Sequence, residues 1–284
     1  MMLGYISMNL ATDVRADELG RALEARGYES VWFGEHSHIP VSRATPYPAG
    51  GELPDPYLRM MDPFVTLAIV AAATTSLRLG TGVALPLEHD IFDLAKQVAT
   101  LDILSNGRVL FGVGVGWNEE ELANCRPTPW KQRYQALGES IGALRALWCD
   151  EESEYHGRHY DFDAVWSRPK PVQTPHPPIL CGMAGRLGTQ HAVAWADEWM
   201  PLDIGLGNVA KKLGLFRAAA EAAGRDHVPI TICAWGDPDR DTLLSYRDLG
   251  VERVIVGTSR AGNADPSTTM AFLDRYAEMV PDFA

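Results

Sequence analysis

A carboxylate and an imidazole stand side by side at the end of an apolar run near the start of the chain. Glu35 ends a predicted strand over residues 30–35, and His36 follows it directly. Imidazole exchanges protons near neutral pH more readily than a carboxylate does, so His36 is the stronger candidate for proton transfer. Because neighbouring side chains on a strand point to opposite sides, we expect at most one of the two to face the interior. The alternative interpretation is a polar start to a loop.

Glycines gather at the ends of two later apolar runs. Gly80, Thr81, Gly82 and Val83 end one run, and the stretch 112–116, which alternates glycine and valine, ends the next and is followed by Trp117. Glycine at a strand end allows an unusual backbone and lets a flat ring lie against the main chain. Trp117 would then form a wall of that site or stack on its ligand. Close packing inside the sheet is the alternative role for these glycines.

A third segment has the composition of an anion site. Cys181, Gly182, Met183, Ala184 and Gly185 lead into a predicted helix, with Arg186 directly after them. Small residues expose backbone N–H groups, a helix start adds partial positive charge, and arginine offers a bidentate donor. This pattern predicts a phosphate cradle. Arg186 would equally suit the surface, and Gly182 would equally suit close packing.

The elements that carry these residues alternate between strand-length apolar runs and helical patterns over the whole chain. Eight such pairs predict a single (β/α)8 barrel domain over residues 1–284, whose chemistry gathers at the C-terminal strand ends. A doubly wound sheet would carry its glycine fingerprint in the first strand-to-helix turn, and residues 9–12 contain no glycine. The predicted strand and helix pairs are 3–8 with 17–26, 30–35 with 63–74, 77–83 with 91–104, 109–115 with 131–148, 179–183 with 188–196, 198–202 with 208–223, 228–235 with 241–249, and 253–256 with 266–279.

Two connections are too long for ordinary barrel loops, and long connections of this kind are often functional. Residues 36–62 are rich in proline and follow the second predicted strand, so they are interpreted as a lid over the site. Residues 149–178 precede the fifth predicted strand, on the opposite face. They contain a potential hairpin over 155–162, and Tyr160 and Trp166 are expected to pack on the outside of the barrel.

Composition limits the classes of partner. The net charge of −12 and the lack of a basic run argue against nucleic acid and anionic membranes. Cys125, Cys149, Cys181 and Cys233 are far apart and lack zinc-ligand spacing, so no metal site is expected. No apolar run reaches the roughly 18 residues of a membrane span, and no secretion signal is recognisable at the N-terminus. We therefore expect a cytoplasmic protein acting on a small molecule.

An ordered series of motifs resembles the luciferase-like superfamily of barrel oxidoreductases, most closely its branch that uses the deazaflavin coenzyme F420. The resemblance covers about residues 1–205 and fades after that. The motifs are SVWFGEH at 30–36, DPFVTL at 62–67, AAATT at 71–75, LRLGT at 77–81, LAKQ at 94–97, LDILSNGR at 101–108, GVGVGW at 112–117, YHGRHY at 155–160 and RPKPVQTPHPPI at 168–179.

The resemblance implies hydride transfer between coenzyme F420 and a small organic substrate. His36 would face the redox ring as proton donor or substrate anchor, and Glu35 would lie beside the cofactor. Thr81, with Gly82 and Val83 joined by a non-proline cis peptide bond, would lie behind the ring. The ribityl and phosphate portions would be held by Val115 and Gly116 and by the segment Gly182, Met183, Ala184, Gly185 and Arg186. A homodimer packed through helices near strands 2 to 4 is also implied.

The chain departs from the superfamily at positions that bear on cofactor and substrate. Trp117 stands where some sugar-phosphate dehydrogenases carry a catalytic glutamate, which argues against a sugar phosphate. Val115 stands where luciferases carry a phosphate-binding arginine, which argues against flavin mononucleotide (FMN). The loop with Glu88, His89 and Asp90 is unusually acidic. A monooxygenase that uses reduced FMN, and a non-catalytic barrel that binds a cofactor, remain the alternatives.

Overall fold

The chain forms a barrel of parallel strands surrounded by helices in a computed structural model that describes residues 1–126, 128–257 and 265–283. The strands are β1 Met2–Ser7, β2 Ser30–Phe33, β3 Arg78–Thr81, β4 Val109–Val113, β5 Ser153–His156, β6 Asp161–Val165, β7 Ile179–Cys181, β8 Glu198–Trp199, β9 Thr231–Cys233 and β10 Arg253–Gly257. The α-helices are α1 Ala16–Ala25, α2 Pro63–Ala73, α3 Ile91–Leu104, α4 Glu119–Cys125, α5 Arg133–Cys149, α6 Arg186–Trp195, α7 Val209–Ala222, α8 Arg240–Asp248 and α9 Pro266–Ala277.

Eight of these strands form one sheet in the order β8-β7-β4-β3-β2-β1-β10-β9, and each neighbouring pair is parallel. Short bridges from Trp199 to Ile230 and from Leu202 to Cys233 join the two end strands. The predicted (β/α)8 barrel is therefore confirmed. The sixth predicted strand, 198–202, pairs as a regular strand only over β8. Helix α4 was not predicted.

Two helix starts show why the chain turns where it does at the barrel mouth. Pro63 occupies the first turn of α2, where its missing N–H costs nothing, and the Asp62 carboxylate accepts the Val65 N–H at 2.8 Å. Asp90 likewise accepts the N–H groups of Phe92 and Asp93 at the start of α3. Asp90 is therefore a helix cap, and this role explains one of the acidic residues in the loop 88–90.

The centre of the barrel is filled by a buried tryptophan. Trp32 is fully buried, and a Cβ added to Gly80 would lie 2.1 Å from its ring. A Cβ at Gly112 would lie 2.1 Å from the carbonyl oxygen of Thr81. Real Cβ atoms do not approach so closely, so Gly80 and Gly112 serve packing. The glycines further along the same strands, Gly82 and Gly114, are the ones that reach the cavity described below.

The second insertion, residues 149–178, packs on helices α3 and α5, where Phe162 contacts Phe92 and the Glu139 carboxylate accepts the His159 N–H. Its predicted hairpin is confirmed, since β5 pairs with β6 in antiparallel fashion. Tyr160 is buried and accepts a hydrogen bond from Arg126 at 2.6 Å. The expectation for Trp166 is wrong, because its side chain is 74% exposed. It directly follows Val165, the last residue of β6.

Among the described residues, no helix is both long enough and apolar enough to span a membrane.

Candidate functional site

A cavity of about 380 Å³ opens at the C-terminal ends of the barrel strands. This volume is in the usual range for a small-molecule site. Much of its wall is apolar, with Ile6, Leu85, Met200 and Leu202 among the contributors. The residues predicted for the site that line it are Glu35, His36, Gly82, Val83, Val115, Gly116, Trp117, Gly182 and Met183.

Four other predicted residues are placed elsewhere. Thr81 is buried in the sheet, where its hydroxyl donates to the Gly112 carbonyl at 2.7 Å. Ala184 and Gly185 follow the cavity wall toward the start of α6, and Gly185 is the residue before its first turn. Arg186 is exposed at that helix start. The segment predicted as a phosphate cradle thus begins in the cavity wall at Gly182 and Met183 and ends at the rim with Arg186.

One side of the cavity floor is made of main chain. The peptide bond between Gly82 and Val83 is cis, as the resemblance implies, and the Gly82 N–H donates to the Phe33 carbonyl at 2.7 Å. Main chain of Gly34, Gly114 and Gly182 also lines the cavity, and a Cβ at Gly114 or Gly182 would clash with the Val83 side chain, so these two glycines also make room for Val83. A flat ligand can therefore approach the backbone here.

His36 projects into the cavity with both ring nitrogens engaged. The Trp117 Nε1–H can only donate, so at 3.2 Å it makes Nε2 of His36 an acceptor. The proton of the neutral ring is then on Nδ1, which donates to the Glu121 carboxylate at 2.8 and 3.0 Å. Nε2 is consequently the atom that can exchange a proton with a molecule in the cavity.

Aromatic side chains from the 36–62 insertion and Trp117 surround this histidine. Tyr57 and Trp117 each make an edge contact with the His36 ring, with ring centres 5.6 Å apart in both cases. Tyr47 packs against Tyr57 and Trp117 at 5.4 and 5.9 Å. Burial raises the pKa of Tyr57 far above its ordinary value, so its hydroxyl stays neutral. These rings shield the imidazole from solvent.

Glu35 also lines the cavity, contrary to the expectation that only one of the consecutive pair would do so. Both residues lie beyond the last paired residue of β2, Phe33, so the alternation of a strand no longer applies. The Glu35 carboxylate accepts the Leu85 N–H at 2.7 Å and bonds His89 Nε2 at 2.6 Å. Although burial opposes it, the bond and charge of Glu35 raise the pKa of His89.

Glu88, in the same loop as His89, has a carboxyl oxygen without a hydrogen-bond partner. Its Oε2 is buried and has no hydrogen-bond partner in the described part of the chain. Burial, followed by the charges of Glu121 and Glu35, raises the pKa of Glu88 to about 9. At neutral pH it is therefore an uncharged carboxylic acid. It lies behind Gly116, where an added Cβ would be 3.6 Å from its Oε1.

The proline-rich insertion is fastened over the cavity by one residue of α4. The Glu120 carboxylate accepts hydrogen bonds from Ser42 Oγ at 3.0 Å, from the Ala44 N–H at 2.9 Å and from both the N–H and the hydroxyl of Thr45. The Thr45 side chain first, and the other donors after it, lower the pKa of Glu120 to about 2. Glu120 thus stays ionised, and the insertion contributes Pro48, Tyr57 and Met60 to the cavity wall.

Glu121 is the site residue that the sequence did not reveal. A signal was present, because Asn118 followed three residues later by glutamate is the pattern of a helix start. The Asn118 side chain does accept the Glu121 N–H, at 3.4 Å. That pattern predicts a helix but not its contact with His36, 85 residues away in the chain.

Among the described residues, those that line the cavity include a thiol, and His36 is their one basic side chain. No lysine or arginine occurs among the described residues that line it. Cys233 lines the wall near β9, and burial raises its pKa to about 12, so it is no thiolate nucleophile at neutral pH.

Comparison with known proteins gives consistent matches. The family model described as luciferase-like monooxygenase matches residues 11–273. An uncharacterized protein of Mycobacterium tuberculosis is 40% identical over 266 residues, 90% of either chain. The F420-dependent hydroxymycolic acid dehydrogenase of the same species is 31% identical over 217 residues, 75% of this chain and 56% of the dehydrogenase. The oxygenase component of a flavin-dependent trigonelline monooxygenase from Acinetobacter baylyi is 32% identical over 211 residues, 72% and 53% of the two chains.

Proposed function

Because the chain belongs to the luciferase-like monooxygenase family, we propose that it is an oxidoreductase that transfers a hydride between coenzyme F420 and a small organic substrate. The observation that carries this proposal is the pairing of His36, which lines the cavity and whose Nε2 accepts from Trp117, with an apolar cavity partly walled by main chain. The His36 imidazole can exchange a proton, and the apolar cavity suits a flat redox ring.

The residues present fit such a ring. Gly82, Gly114 and Gly182 contribute main chain to the cavity wall, and Val115 and Met183 also line it, with Met183 three residues before the start of α6. The cofactor's phosphate would lie at the start of that helix, where N–H groups and the exposed Arg186 are available. When bound, the cofactor supplies the hydride chemistry, and the protein supplies position and a proton.

His36 takes the proton-transfer role in this proposal. A substrate group that enters the cavity replaces Trp117 as the partner of Nε2, and the proton passes between that group and the ring. The positive charge that forms on His36 is met by the buried Glu121 carboxylate at 2.8 Å. Tyr57, Met60 and Pro48 exclude water from this exchange.

Residue 115 is the observation that favours F420 over FMN. Val115 stands where luciferases carry an arginine that binds the phosphate monoester of FMN, a group with close to two negative charges. Val115 offers no positive charge, and the described residues that line the cavity include no lysine or arginine. The similarity to the trigonelline monooxygenase favours a second candidate function, oxygenation with a reduced flavin.

The test is a fluorescence titration of the purified protein with oxidised F420 and, in parallel, with FMN. We expect saturable binding of F420 at a dissociation constant at least about tenfold below that of FMN, a difference of about 1.4 kcal/mol. A preference for FMN would replace the proposal with the monooxygenase. Binding of both without turnover of any substrate would favour a non-catalytic barrel.

We propose further that residues 36–62 act as a lid on one barrel domain. The hydrogen bonds between this insertion and the Glu120 carboxylate support this role. So does the contribution of Pro48, Tyr57 and Met60 to the cavity wall. Loops that close over barrel mouths commonly exclude water and retain the substrate.

A homodimer through α2 is proposed on the apolar character of that helix. Phe64, Leu67 and Val70 face the barrel, yet Val65 and Ile69 on the other side are 66% and 49% exposed. A helix that is apolar all round is normally covered on both sides. Light scattering should give the mass of a dimer for the wild type and of a monomer for Val65→Lys with Ile69→Lys. The control Leu215→Lys, at an exposed position of α7, should remain dimeric. A wild-type monomer would contradict the proposal.

A further inference from the structure

Helix α4 places a buried carboxylate directly behind the proton-transfer group. Glu121 is 1% exposed, and its two oxygens lie 3.0 and 2.8 Å from Nδ1 of His36. It lies outside the motifs that carry the resemblance, which end at Trp117 in this part of the chain. Glu121 is not among the cavity-lining residues, so any influence on a bound molecule must act through His36.

The two ring nitrogens of a neutral histidine are not equivalent, and the hydrogen bond at one nitrogen decides whether the other carries the proton. A carboxylate accepts but cannot donate, so Glu121 requires the proton on Nδ1. Trp117 donates to Nε2 and so favours the same tautomer. The indole partner must be displaced when a ligand reaches Nε2, whereas the Glu121 contact remains.

Glu121 has a hydrogen-bonding partner that its neighbour Glu88 lacks. Glu121 lies in the first turn of α4 and contacts Nδ1 of His36 through both of its oxygens. The Oε2 of Glu88 has no partner in the described residues. Glu121 is thus the carboxyl group that supports the His36 ring from this side.

We propose that Glu121 is the positioning residue of His36: it holds the imidazole with the proton on Nδ1 and so keeps Nε2 as the atom that exchanges a proton with the cavity. This inference extends the proposed function, but the tautomer itself exists without cofactor or substrate. It can therefore be tested independently of any activity.

The experiment measures the protonation of the His36 ring by nitrogen-15 NMR of the cofactor-free protein. The His36 signals are identified by their loss in His36→Asn. In the wild type we expect a protonated Nδ1 and an unprotonated Nε2. Trp117→Phe removes the second group that selects this tautomer, and the Nδ1 proton should persist because Glu121 is still present.

Adding Glu121→Gln to Trp117→Phe should lower the ratio of Nδ1–H to Nε2–H by about tenfold or more, because a glutamine amide can pair with either tautomer and the charge-assisted bond is lost. The matched control is Trp117→Phe with Glu119→Gln, which removes the same charge from an exposed side chain in the same helix turn. That control should keep the tautomer ratio of Trp117→Phe.

A wild-type ring protonated on Nε2 would overturn the proposal, and this measurement needs no variant to fold. So would an unchanged ratio in the Trp117→Phe, Glu121→Gln protein. In the single variant Glu121→Gln, kcat should fall while the dissociation constant of the cofactor stays constant. If no cofactor supports turnover but the tautomer depends on Glu121, the proposed function fails and the positioning role stands.

Discussion

Replacing His36 with asparagine is expected to lower turnover by about 10²–10⁴-fold while leaving cofactor affinity nearly unchanged, because the variant loses the proton-exchanging atom. Asparagine retains an N–H near the position of Nδ1, so the buried Glu121 carboxylate keeps a donor. The asparagine side chain has no proton-accepting nitrogen in place of Nε2. Steady-state kinetics with the cofactor that the titration identifies would measure the first effect, and the same fluorescence titration would measure the second.

The matched control is His38→Asn, two residues further along the same insertion. His38 bonds Ser37 and Asn124 and does not line the cavity. We expect its turnover to stay close to that of the wild type. If His36→Asn binds cofactor poorly but turns over normally once saturated, His36 is a binding residue and its proposed role in proton transfer is wrong.

Replacing Glu88 with glutamine is expected to stabilise the protein by about 1–3 kcal/mol near pH 7.5. Glu88 keeps its proton in the folded protein up to about pH 9, against a usual value of 4.5 for this carboxyl group. The unfolded chain releases that proton much earlier and so binds fewer protons between these pH values. Wild-type stability therefore falls as pH rises through this window. Glutamine removes the ionisation but keeps an amide that must find partners, which limits the gain.

Denaturant unfolding at pH 4.5, 6 and 8 would measure this effect. The advantage of Glu88→Gln should be near zero at pH 4.5 and should grow toward pH 8. Glu119→Gln, at an exposed position, should stay within about 0.5 kcal/mol of the wild type throughout. An advantage of equal size at all three pH values would show that Glu88 is not held in its neutral form.

Much of the barrel was predictable because each strand and helix pair has a local pattern of apolar residues. The apolar run before Glu35 and the glycine-ended runs at Gly82 and Gly116 mark strand ends, and strand ends meet at one face of a barrel. The resemblance added the cis bond at Gly82, which no local propensity indicates. The prediction that Trp166 packs on the barrel was wrong. It rested on the fact that a large apolar side chain is more often buried than exposed, whereas Trp166, at the end of the β5–β6 hairpin, is exposed.

The partners of the site residues were harder to foresee. Glu35 bonds His89, which is 54 residues away in the chain, and His36 bonds Glu121, which is 85 residues away. Polar pairing at such separations depends on how helices and loops stack, and one glutamate in an acidic turn looks like its exposed neighbours. The sequence therefore assigns no role to the acidic loop, whereas in the structure His89 bonds Glu35 and Asp90 caps α3.

Consecutive residues of α4 serve two different parts of the mouth. Glu120 ties down the proline-rich insertion, and Glu121 supports the imidazole. Since this helix has only seven residues, we expect that a movement of the proposed lid would also shift the support of His36. Admission of a molecule and readiness for proton exchange are then linked through one short backbone segment. Such a link would make the open form a poor catalyst and confine proton exchange to the closed one, so the rate of closing would limit how often the site is ready to react.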